Sequence, residues 1–207
     1  MTTLSPRDAA DIREAVAGAA ASGRKLEIVG GGSKRNFGNP NRQAESLSTS
    51  GLAKIVDYDP PELVLTVESG VRLSDIEALL AGHNQMLAFE PYDFAGVVSG
   101  EQGRSTIGGV VSAGFAGSRR ISAGGVRDHV LGFAAVNGRG ESFKAGGKVV
   151  KNVTGYDLPK LVAASWGQLV VLTEITLKVL PRPPIARTLV IRGLSNQSAV
   201  DLMTQAM

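Results

Sequence analysis

Gly30, Gly31 and Gly32 stand directly after Lys25-Leu26-Glu27-Ile28-Val29, a stretch that alternates like a strand. Three successive glycines let the backbone take positive φ and let another group come close to the main chain. They also allow consecutive N–H groups to converge on an anion. A triplet in this place calls for a loop built from backbone at the end of a strand. Glycines cluster in the same way further on. There are 26 among the 207 residues, about 13% against a usual share of roughly 7%. They have no collagen-like period and do not sit in one linker, so they point to several such loops inside a globular fold.

The remaining composition narrows the classes of function. The chain has no cysteine, which excludes a disulfide framework, a thiolate metal site and a cysteine nucleophile. Its two histidines, His83 and His129, are far apart in sequence, which argues against a histidine-rich metal site. Lys and Arg number 22 and Asp and Glu 19, a net charge of +3. That balance is too mild for a nucleic-acid surface, and no basic stripe interleaved with aromatics appears. The N-terminus lacks the apolar region of a signal peptide, and no apolar run reaches membrane-spanning length. A cytoplasmic protein is the expectation.

Periodicity and turn residues predict an alternation of helices and strands. A first helix runs from a Ser5 cap with Pro6 at its first position, through Ile12 and Val16, to Gly23. Strands are expected at 25–29, 45–48, 54–58, 63–68 and 86–89, with a helix at 75–81 capped by Ser74. Residues 106–114 read as a short, closely packed helix, 128–144 as a hairpin, 157–164 as a helix and 169–180 as a long strand. Pro181, Pro183 and Pro184 mark a boundary. Beyond it come a strand at 188–191 and a helix from about 197, too little to bury two apolar faces.

Three stretches carry candidate chemistry. Gly30-Gly31-Gly32-Ser33-Lys34 fits neither familiar phosphate motif. Ser33 stands where a nucleotide-triphosphate loop needs its lysine, and Arg35 where the dinucleotide fingerprint needs its third glycine. The loop joins strand to strand, and both a tight turn and a pyrophosphate cradle remain open for it. Thr106-Ile107-Gly108-Gly109 places two glycines at a helix start. Asn152-Val153-Thr154-Gly155-Tyr156-Asp157-Leu158 leads into Leu172-Thr173-Glu174-Ile175-Thr176-Leu177-Lys178.

Taken in this order, the stretches resemble the flavin domain of the vanillyl-alcohol oxidase type, also called the PCMH-type FAD-binding domain. The resemblance covers residues 4–184. Residues 146–161 and 172–183 are more narrowly similar to the FAD-binding (E) subunits of bacterial glycolate oxidases. The resemblance implies an α+β fold of two α+β subdomains, about 1–90 and 91–184, with extended FAD between them. Residues 185–207 are then the first strand and helix of an incomplete cap domain. By motif match, Val29, Gly30, Gly31, Gly32, Ser33 and Lys34 serve the pyrophosphate, and Pro91 lies near the ribityl chain and the flavin ring. Thr106, Ile107, Gly108, Gly109 and Ser112 line the cofactor's other side. Gly155, Tyr156 and Asp157, with Val171 or Thr173, lie along the ribityl-to-adenine stretch.

Two departures bear on that match. Ser33 and Lys34 occupy the stretch where many members carry a histidine that binds FAD covalently, so non-covalent FAD is expected. Where relatives read Gly-Ser-x-Gly-x-Leu-Gly, this chain has Ala164-Ser165-Trp166-Gly167-Gln168-Leu169-Val170, and Val170 narrows the adenine side. No residue stands out as a catalytic base. His129 reads as structural, His83 as facing a helix C-terminus, Arg119 and Arg120 as solvated, and Trp166 as packing.

The implied function is that of a FAD-binding oxidoreductase subunit oxidising a small 2-hydroxy acid such as glycolate. Implied partners are a second flavoprotein subunit and an iron–sulfur subunit, with peripheral attachment at the inner membrane through them. The alternatives are a FAD-dependent dehydrogenase of another substrate and a non-catalytic scaffold that keeps the fold.

Overall fold

The computed structural model describes residues 3–38, 43–94, 96, 103–148 and 155–206. The Asn152-Val153-Thr154 stretch and part of the glycine-rich 96–125 region lie outside the described residues.

The chain begins with a strand the sequence did not announce. β1 (Thr3–Leu4) lies parallel to β3 (Glu45–Ser48), which also pairs in parallel with β2 (Leu26–Val29). Because residues 3 and 4 are drawn into that sheet, the first helix starts later than its cap signals predict. α1 spans Ala9–Ala21, and its N-cap is Asp8, whose carboxylate accepts from the Asp11 N–H. Ser5 plays no part in the cap. α1 buries Ile12, Val16 and Ala19. Ile12 and Val16 share a small core with Leu47 and Leu52 on one side and with Val136 and Val171 on the other.

The second sheet has five strands in the order β4-β5-β9-β7-β8. These are β4 (Ile55–Asp59), β5 (Val64–Glu68), β7 (Val130–Asn137), β8 (Ser142–Gly146) and β9 (Val170–Lys178), all antiparallel to their neighbours. Strands from before and after residue 90 therefore share one sheet. β6 is shorter than its apolar run, at Gln85–Met86, and pairs with β10 (Leu180–Pro181). Leu87, Ala88 and Phe89 leave the strand and are buried in the core instead.

The larger core lies on one face of this sheet. It takes Leu65, Val67, Ile175 and Leu177 from the strands, Ile76 and Leu80 from α2 (Leu73–Ala81), and Ile107, Val110 and Val111 from α3 (Ile107–Ala113). Each such apolar side chain contributes about 1.5–3 kcal/mol by leaving water. α2 begins two residues before the expected Asp75, with Arg72 rather than Ser74 at its N-cap. α4 (Arg120–Ala123), a short 3₁₀ turn at Val126–Asp128 and α5 (Leu158–Val162) complete the body.

β9 alternates between the two cores over its first three residues, and a bulge between 172 and 174 then shifts the phase, so that Ile175 and Leu177 also face the larger one. Val170 and Leu172 belong to the larger core, and Val171 to the smaller one. The tail contrasts with the body. Residues 188–191, expected as a strand, find no partner strand among the described residues and stay unpaired. α6 (Asn196–Gln205) follows, capped by Ser195, and buries none of its residues.

Candidate functional site

The glycine loop leaves β2 and runs along the segment that leads into α3. Its shape is dictated by that contact. A Cβ on Gly30 would lie 2.1 Å from the Thr106 hydroxyl oxygen, and one on Gly31 only 1.3 Å from the Arg104 carbonyl oxygen. Gly32 has φ +75, a conformation that side chains resist. No other residue type fits 31 without moving the backbone.

Side chains from 93–106 complete the support. The Arg104 Nε donates to the Gly31 carbonyl at 3.0 Å. Because C=O and N–H point to opposite sides of a trans peptide, that bond turns the Gly32 N–H away from Arg104. The Ser105 hydroxyl lies 3.0 Å from the Ser33 hydroxyl and 2.7 Å from the Asp93 carboxylate, which also accepts from the Gly103 N–H at 2.6 Å. Lys34 is held nearby, its ammonium 5.8 Å from the centre of the Phe94 ring. Burial lowers the Lys34 pKa, and the neighbouring Asp93 charge partly opposes that shift.

These elements border a cleft of about 910 Å³. Val29, Gly30, Gly31, Gly32, Ser33 and Lys34 form one wall, and Thr106, Gly108, Gly109 and Ser112 another. Thr106 caps α3 by accepting from the Gly109 N–H. Gly108 is required because a Cβ there would lie 2.7 Å from the Ser69 carbonyl oxygen. The third wall is the 164–168 loop with Val170 and Leu172. That loop is tightly turned, with positive φ at Ala164, Trp166 and Gly167. It is fastened to α3 by the Ala164 N–H on the Val111 carbonyl, 3.0 Å, and the Trp166 N–H on the Ser112 carbonyl, 2.8 Å.

The other candidate residues lie elsewhere. Ile107 faces the core from α3. Val171 and Thr173 are buried but do not line the cleft. Pro91 is outside the lining too, although Asp93, two residues on, ties its segment to the back of the glycine loop. Gly155, Tyr156 and Asp157 are also outside it. Tyr156 is 91% exposed, and Asp157 caps α5 and pairs with Lys160, which holds its carboxyl below the ordinary range.

An aromatic cluster at the edge of the cleft, of which Phe37 and Trp166 line it, was not read from the sequence as a unit. Phe37, Phe94, Phe115 and Trp166 form a continuous aromatic cluster beside Lys34, with ring centres 5.0–6.4 Å apart. They are scattered over the sequence, and no spacing joins them. Among the described residues the one carboxylate in the lining is Glu27, which is bound at both oxygens by Arg35, at 3.0 and 2.5 Å. His129 is buried away from the cleft, with its Nε2 2.8 Å from the Ala123 carbonyl oxygen. Arg119 packs against the end of β6, its backbone N–H on Glu90.

The cleft thus offers backbone N–H groups without side chains in front of them, one lysine and several hydroxyls, beside an aromatic wall. It also contains a buried hydroxyl without a partner, that of Ser69. Such a lining fits a long, anionic, partly aromatic ligand, which is the character of a flavin dinucleotide. The chain belongs to the FAD binding domain family, whose pattern matches residues 2–146. FAD is accordingly its cofactor.

The chain is 44% identical over 176 residues to glycolate oxidase subunit GlcE of Escherichia coli strain K12, covering 85% of this chain and 48% of that protein. It therefore spans about half the length of that relative. It is 33% identical to a D-lactate dehydrogenase of Anaerostipes hadrus, over 82% of this chain and 33% of the other. With glycolate oxidase subunit GlcD of Bacillus subtilis it shares 33% over 67% of this chain and 28% of the other. Among solved structures, an alkyldihydroxyacetonephosphate synthase superposes with a TM-score of 0.68 at 19% identity, covering 88% of this chain and 32% of that one. With the family match, that likeness shows the α+β fold of a PCMH-type FAD-binding domain. Among the described residues no helix is long and apolar enough to cross a membrane.

Proposed function

We propose that this chain is the FAD-binding part of an oxidoreductase complex that oxidises a small 2-hydroxy acid, with glycolate to glyoxylate the favoured reaction. The observation that carries the reading is the cradle at 30–32, where backbone alone faces the cleft and the Arg104 carbonyl forbids a side chain at 31. Val29 to Lys34 hold the diphosphate of FAD, with Lys34 as its counter-charge. Thr106, Gly108, Gly109 and Ser112 contact the cofactor from the α3 side, and Trp166, Gly167, Gln168, Val170 and Leu172 close the third side. FAD held there would supply the two-electron acceptor for the hydride leaving the substrate carbon. The names of the relatives support the substrate class, two as glycolate oxidase subunits and one as a D-lactate dehydrogenase.

The chain's own residues bind and orient; among the described residues the cleft supplies no free carboxylate or histidine to take the substrate's hydroxyl proton. That group belongs to a further domain or to a partner. Residues 185–207 are the start of such a domain, with their apolar side chains still uncovered. The partners are a second flavoprotein subunit and an iron–sulfur subunit, which hold the assembly peripherally at the inner face of the membrane.

The test is a spectrum. Purified protein should carry bound-flavin bands near about 370 and about 450 nm, and glycolate should bleach them in the assembled complex. Colourless protein that takes up no added FAD would overturn the reading. Bleaching by D-lactate and not by glycolate would reassign the substrate.

A further inference from the structure

Ser69 follows β5 at the floor of the cleft. Its backbone is fully engaged, the N–H donating to the Thr173 carbonyl at 3.0 Å and the carbonyl accepting from the Gly108 N–H at 2.8 Å. Its side chain is wedged against α3, so closely that a Cβ on Gly108 would come within 2.9 Å of the Ser69 Cβ. The residue is 1% exposed, and its hydroxyl has no hydrogen-bond partner. It is also one of the residues that line the cleft.

A buried hydroxyl without a partner destabilises a protein by the desolvation of that group, and natural structures hold few of them. Alanine would fill the same space here at no such cost, since only the Oγ differs. The buried hydroxyls of Ser33, Ser105 and Thr106 across the cleft are engaged. Ser105 bonds to Ser33 and Asp93, and Thr106 caps α3. Ser69 is the exception: it lines the cleft, while its hydroxyl is sealed from solvent and unpaired.

We infer that Ser69 is a cofactor-binding residue whose hydroxyl donates to a phosphate or sugar oxygen of FAD lying across Gly108. This rests on the reading that FAD occupies the cleft. It makes the serine unfavourable in the free protein and favourable in the loaded one, so one substitution has opposite effects on the two states.

The experiment compares the full chain, stripped of flavin, with Ser69→Ala and Lys34→Ala. FAD affinity is followed by flavin fluorescence and the flavin-free Tm by calorimetry. Ser69→Ala should weaken FAD about tenfold, the effect of losing one hydrogen bond to a polar or charged acceptor. The same variant should leave the flavin-free Tm unchanged or raise it by about 2 °C. Wild-type affinity in Ser69→Ala, beside weakened binding in Lys34→Ala, overturns the role of Ser69 and leaves the cleft assignment standing. Wild-type affinity in both variants overturns the cleft assignment and this inference with it. A clear fall in the flavin-free Tm of Ser69→Ala also overturns the inference, because the hydroxyl would then have a partner before FAD arrives.

Discussion

Ile175 in β9 is fully buried, whereas Leu189, a little further along the chain, is 84% exposed. Both sit in short apolar stretches of similar composition. Ile175 pairs on both sides, with β5 and β7, and its side chain meets α2 and α3 across the larger core. Leu189 lies in a stretch with no strand beside it, and Ile185, Val190 and Ile191 share its exposure. Local pattern creates the strand; a neighbour decides whether it is kept. The body of the chain satisfies itself, and the tail awaits surface from elsewhere.

The largest expected effect probes the body at its least tolerant point. Gly31→Val sets a branched side chain against the Arg104 carbonyl, which the backbone cannot avoid. The variant should yield no flavin-loaded protein, read as loss of the visible bands in the purified material. Wild-type FAD content would show that the loop can be rebuilt without that contact.

The next pair addresses the comparison directly. Ile175→Ala should cost about 3 kcal/mol, a fall in Tm of roughly 6–12 °C. Leu189→Ala should stay within about 0.5 kcal/mol. Chemical denaturation of the two variants side by side checks both. A large loss at 189 would mean that the tail packs on the body in solution.

A smaller effect concerns charge. Burial depresses the Lys34 pKa in the free protein, and a bound diphosphate should raise it. Free-protein stability should therefore rise with pH between the depressed value and the ordinary lysine value, because over that window the unfolded chain binds the extra proton. FAD binding runs the other way: affinity is flat below the Lys34 pKa of the free protein and falls as pH rises through it. Titrations between about pH 7 and about pH 10 should show that fall in the wild type and its absence in Lys34→Met, which should also bind FAD about tenfold more weakly at neutral pH. A pH profile unaltered by Lys34→Met would remove Lys34 from the diphosphate site. The smallest effect is expected from removing residues 188–207, which should leave FAD affinity as it was.

Much of the body was legible in the sequence because its punctuation is local. The glycine triplet after β2, the helix start at 106 and the hairpin turn at 138–140 are each announced by a few neighbouring residues. The phase of β9 was not. Val170-Val171-Leu172-Thr173 is nearly apolar on both faces, so alternation cannot say which parity looks into the cleft. The structure turns the Val170 and Leu172 side chains that way. Ser69, Asp93 and the aromatic cluster were hidden for another reason. Each matters only through residues brought to it from far along the chain, and a lone serine beside a glycine looks like any turn.

The two glycine contacts also differ in how they can be repaired. Gly30 is opposed by a side chain, that of Thr106, so an alanine at 30 has a conceivable suppressor in a smaller residue at 106. Gly31 is opposed by the carbonyl of Arg104, an atom present whatever residue stands there. No exchange of side chain at 104 can make room for it. A search for revertants should thus recover second-site changes for position 30 and only true reversion for position 31.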